Sequence, residues 1–159
     1  MLVFDYIKQE HIQRFLHEHN ASERFKAILN DGCILVYDLL VIAAATRWED
    51  SPEKIRKHNK WSKLKLLTKE ALSAREMTPL REMILALADV RNVADHEPVT
   101  DADIRQRFLD AFARVRRERF PAEGDRDREI RFAHALFAWI AFEIGRWQIG
   151  LPPGYLART

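Results

Sequence analysis

The chain has little cysteine, glycine or proline and almost no net charge. Of 159 residues, one is cysteine, five are glycine and six are proline. The single thiol, Cys33, excludes an intrachain disulfide framework and suits a reducing, cytoplasmic compartment. So few turn-forming residues argue against many short strands joined by tight turns. A formal net charge of +2, with a pI near 8.8, excludes attraction of the whole molecule to nucleic acid. Any such attraction has to come from local clusters of charge. No basic start followed by a long apolar stretch opens the sequence, so no signal peptide is expected. The two most apolar runs, CILVYDLLVIAAA and FAHALFAWIAF, fall short of the roughly 20 residues that span a bilayer. Both read as buried helices, and no membrane contact is expected. P-loop, G-x-G-x-x-G, nucleophile-elbow and zinc-finger spacings are also absent.

What is present is apolar periodicity in a chain that is 47% hydrophobic and 31% charged. Phe4, Ile7, Ile12, Phe15 and Leu16 predict a first helix over about 5–19. Ser22 is a plausible cap for a segment over 23–30, and NDG at 30–32 is a candidate break before an apolar helix to Arg47. Ser51-Pro52 and Thr78-Pro79 are start signals, with a helix from the first reaching as far as Ala74 and one from the second stopped by Pro98. Thr100 caps the next, with Ile104, Phe108, Ala111, Phe112 and Val115 as its buried stripe. A loop at 121–125 and a last helix over 126–147 complete the pattern. The expectation is an all-α bundle of about five to six helices in a single domain, 1–159.

The stretch DVRNVADHEPVT, residues 89–100, gathers the chemistry. Four residues apart on a helix, Asn92 and His96 share a face, so the amide could orient one ring nitrogen and leave the other for acid–base work. Arg91 and His96 are five apart, about 140° around a regular helix, and would not converge on one atom. Either Pro98 ends the helix early and lets His96 swing, or a two-fold dimer brings two copies of the motif together. A purely structural reading stands beside this. Arg91 and Asp95 form an i,i+4 ion pair, and a histidine suits a helix's last turn.

RNVADH resembles the R-N-x-x-x-H signature of the HEPN superfamily (higher eukaryotes and prokaryotes nucleotide-binding). The preceding apolar ILALADV is similar to the helix that leads into that motif. The likeness covers residues 1 to about 120, with 125–148 as an additional C-terminal helix. It implies a metal-independent endoribonuclease without cofactor, in a homodimer whose two motifs share a cleft, in a toxin or anti-phage setting with a possible cognate antitoxin protein. Arg91, Asn92 and His96 would be its catalytic set. One His96 would take the 2′-hydroxyl proton of RNA and the other protonate the leaving 5′-oxygen, while Arg91 holds the phosphate. Toxins of one branch carry a tyrosine two residues after the histidine; here that position is Pro98. The superfamily also includes non-catalytic interaction or nucleotide-binding modules, which is the alternative function.

Residues 53–70 hold the densest basic cluster. Lys54, Lys57, Lys60 and Lys63 around Trp61 could track an RNA backbone, with Trp61 stacking on a base. The competing reading is a solvated face with Trp61, Leu64 and Leu67 turned inward. HEH at 17–19 is poorly placed for a metal, because helical residues two apart point about 200° apart. Asp38, inside an apolar run, has to be paired or protonated, with an arginine or Tyr37 as candidate partners.

Overall fold

A computed structural model describes residues 1–20, 22–96, 98–119 and 126–154. The loop expected at 121–125 lies outside the described residues, as do Glu97 and Tyr155. Among the described residues every regular element is helical: α1 (Val3–Tyr6), α2 (Glu10–His17), α3 (Phe25–Arg47), α4 (Pro52–His58), α5 (Leu64–Ala71), α6 (Thr78–His96), α7 (Asp101–Ala111), α8 (Ala113–Arg119) and α9 (Arg126–Gln148). That is an all-α architecture with more helices than the sequence suggested.

The core forms around α3 and α9. Leu29, Val36, Leu39, Leu40 and Ala43 of α3 are buried, as are Phe132, Leu136, Phe137, Ile140 and Ile144 of α9. Each large apolar side chain fully withdrawn from water contributes about 1.5–3 kcal/mol. By length and composition alone α3 could cross a membrane, yet most of it is enclosed by neighbouring helices. Its length reflects a departure from the sequence reading: NDG does not break it. Gly32 instead permits a close approach, since a Cβ there would land in the Phe137 ring. The C-terminal helix is thus integral to the core. Its end also ties down the N-terminus: Val3 N–H donates to Gln148 Oε1 at 2.6 Å, and Gln148 Nε2 donates to the Met1 carbonyl at 2.8 Å. Buried His134 of α9 joins two further segments, with Nδ1 donating to the Phe15 carbonyl at 2.5 Å and Nε2 3.0 Å from Glu23 Oε2.

Three expected helices are divided. The first breaks between Tyr6 and Glu10, where Gln13 Nε2 donates to the freed Ile7 carbonyl at 2.6 Å. The second starts as predicted, with the Ser51 hydroxyl accepting from Lys54 N–H at 3.2 Å, but stops at His58. The Asn59 carbonyl there is taken by the Tyr37 hydroxyl at 2.5 Å, so a tertiary bond replaces a helical one. The third opens on a capping box between Thr100 and Asp103 and breaks at buried Phe112. α6 begins at Thr78, whose hydroxyl donates back to the Arg75 carbonyl at 2.7 Å instead of capping forward.

Candidate functional site

α6 carries the motif as a regular helix up to His96. Its inner face buries Leu80, Ile84, Leu87, Ala88 and Ala94, which fixes the direction of Arg91. The Arg91 guanidinium lies over the Trp61 ring, 4.2 Å from its centroid. Its Nη2 sits 2.9 Å from Asp95 Oδ2, and its Nη1 donates to Asn92 Oδ1 at 3.5 Å. Nε is buried with no hydrogen-bond partner. The Arg91 and Asp95 side chains are only 16% and 28% exposed, so their pair is far less screened than a surface contact.

This geometry answers two of the sequence-based alternatives. The i,i+4 pair of Arg91 with Asp95 is formed. Asn92 turns its amide oxygen to Arg91. His96 ends α6 exposed, with no hydrogen bond or ion pair to another of the described residues. Because the helix stays regular through His96, the early-ending alternative is removed, and one chain does not bring Arg91 and His96 to one point.

Beside the guanidinium is a cavity of about 100 Å³, lined by Arg91, Asn92, Ala88, Trp61, Lys63 and Lys65. That is roughly the room of three waters, enough for a phosphate-sized group. The cavity joins the two sequence features, since Trp61 and Lys63 stand against the motif. Lys65 Nζ is paired with Asp89 Oδ1 at 2.5 Å. The remaining lysines do not converge there. Lys54 and Lys57 are exposed on α4, and Lys60 is exposed ahead of the short 3₁₀ turn at Trp61–Lys63. Trp61 is half-buried and meets Tyr37 edge-on at 5.9 Å, while Leu64 and Leu67 are buried as the structural reading expected.

Behind the motif Cys33 is buried, and burial pushes its thiol up to about 12, with Arg91 drawing it down and Asp95 raising it. Asp38 is paired with an arginine, Arg56, whose Nη1 donates to its Oδ1 at 3.0 Å. His17 is exposed, and His19 Nε2 accepts from Arg131 Nε at 2.8 Å. The contact of Trp61 with Arg91 spans thirty positions, and no local pattern announces it. Comparison with family models, curated proteins and solved structures returns no match to this chain.

Proposed function

We propose that the chain is a metal-independent, HEPN-type endoribonuclease acting as a homodimer, with Arg91, Asn92 and His96 as its catalytic residues. The observation that carries this reading is the cavity in which Arg91 and Asn92 meet Trp61, Lys63 and Lys65. It is a recess of phosphate size lined by Arg91, Lys63 and Lys65, on the helix whose end carries an accessible imidazole turned to another side. Arg91 binds a phosphate through Nη1, whose 3.5 Å contact with Asn92 Oδ1 is long enough to yield to it, while Trp61 keeps the guanidinium plane fixed. His96, exposed and unpartnered among the described residues, serves a site completed by the second protomer. One imidazole accepts the 2′-hydroxyl proton, and that oxygen attacks the phosphorus. The other imidazole protonates the departing 5′-oxygen, which leaves a 2′,3′-cyclic phosphate and a 5′-hydroxyl.

Incubation with structured RNA in excess chelator tests this. Cleavage yielding those ends is expected to fall at least about 100-fold in His96→Ala and in Arg91→Ala, each with its helical circular dichroism retained. Absence of cleavage, or cleavage indifferent to both substitutions, overturns the proposal. One observation favours a second reading, a non-catalytic interaction or nucleotide-binding module. Arg91 is already held by Asp95 and Trp61, as a structural arginine would be.

A further inference from the structure

A second cavity, of about 260 Å³ and open to solvent, lies between α1–α2 and the first half of α3. From α3 come Asp31, Ile34, Leu35 and Asp38, spaced i, i+3, i+4 and i+7, so they form one stripe. Tyr6, His11, Ile12 and Phe15 face them. The lining is therefore apolar and aromatic through its middle, with a carboxylate towards each end and no lysine or arginine.

The two carboxylates differ. The charge of Asp38 is answered by Arg56 at 3.0 Å. Asp31 has no hydrogen bond or ion pair with any described residue, and burial, followed by the charge of Glu23, raises its carboxyl above the usual range. The Tyr6 hydroxyl likewise has no hydrogen-bond partner among the described residues, and it lies close enough to Asp38 and Arg56 to feel both charges. One unmatched negative charge and one free phenol thus border a space walled by Ile12, Phe15 and Leu35.

We propose that this cavity binds a small organic monocation, a primary ammonium on a short aryl or alkyl body. The ammonium supplies the positive charge and the donors that Asp31 lacks, its body extends along the apolar middle towards Tyr6 at the Asp38 end, and aromatic walls favour a cation over an anion. The apolar middle distinguishes an organic cation from a hydrated metal ion, which would have to be stripped of water against hydrocarbon. The volume is at the small end for ligand pockets, which suits a ligand of about ten heavy atoms. Because Asp38 is already neutralised by Arg56, the site calls for one charge and not two. This inference does not depend on the nuclease reading, since none of its residues belongs to the motif.

Titration of the intact protein with 2-phenylethylammonium, followed by amide chemical shifts, tests it. The expected result is saturable shifts at Asp31, Ile34 and Leu35. Affinity should exceed that for 2-phenylethanol, the neutral isostere, by about tenfold, and 3-phenylpropionate should not bind. Asp31→Asn is exposed enough to fold normally and is expected to reduce ammonium binding to the level of the alcohol. Ile34→Ser is expected to weaken both the amine and the alcohol. Equal binding of amine and alcohol, no saturable shift with the amine, or an unchanged affinity in Asp31→Asn each overturns the proposal.

Discussion

Arg91 has most of its hydrogen-bonding capacity drawn inward, so its neighbours control what it can do. Asp95→Ala leaves a largely enclosed guanidinium with one fewer counter-charge. It is expected to cost about 1–2 kcal/mol in urea unfolding, more than a surface pair would. Trp61→Ala removes both the ring beneath Arg91 and the edge contact with Tyr37. About 2–3 kcal/mol is expected there, by the same measurement. A loss within a few tenths of a kcal/mol in both would mean that Arg91 is held by neither. Cys33 gives a sharper reading of the same region. With its thiol raised to about 12 by burial, it should ignore a disulfide reagent in the native protein at neutral pH and react fully once unfolded. Asp31 carries a pH signature. Its folded carboxyl titrates above the ordinary value of 3.8, so the folded state holds the proton more tightly than the unfolded chain. Its contribution to stability therefore declines as pH rises from 3.8 through the folded value. Asp31→Asn should raise the Tm at neutral pH, with the gain vanishing as the pH drops below 3.8. A gain that persisted there would exclude titration of this carboxyl as its cause.

Among the elements, α3 and α9 show what local pattern can and cannot reveal. The capping signals at Ser51-Pro52 and Thr100 were legible because caps are short-range chemistry, and both formed. The stop of α6 before Pro98 was legible for the same reason. NDG was misleading, because the reason for Gly32 lies 105 positions away, in the ring of Phe137. Likewise the end of α4 is set by Tyr37 reaching the Asn59 carbonyl, a contact that a local stretch does not contain. The motif was visible as residue types, whereas its geometry depended on Trp61 arriving from another element. Gly32→Ala tests the close approach directly. Alanine in mid-helix is worth about 1 kcal/mol over glycine, but the fully buried Phe137 ring has no room to withdraw. A net loss of about 1–3 kcal/mol is expected, with partial recovery in Gly32→Ala/Phe137→Leu. A stabilised Gly32→Ala would show that α3 and α9 do not meet in this way.

For the whole molecule the decisive question is how many chains make one site. On a continuous α6, Arg91 points inward to Trp61 and Asp95 while His96 ends the helix in solvent. In the proposed nuclease, a second chain related by a two-fold axis would supply what one chain does not, because an isologous contact places the same helix end on both sides of a shared cleft. If one imidazole acts as base and its counterpart as acid, a dimer with a single His96→Ala chain is inactive. A freely exchanged equal mixture of wild-type and His96→Ala should then show about a quarter of the activity of the same total amount of wild-type protein, since only wild-type pairs work. Independent protomers would retain about half. The same samples should sediment at twice the 18.7 kDa chain mass. Sedimentation at the mass of one chain, or a linear fall of activity with the wild-type fraction, would leave no place for a second imidazole and would require each chain to cleave RNA by itself.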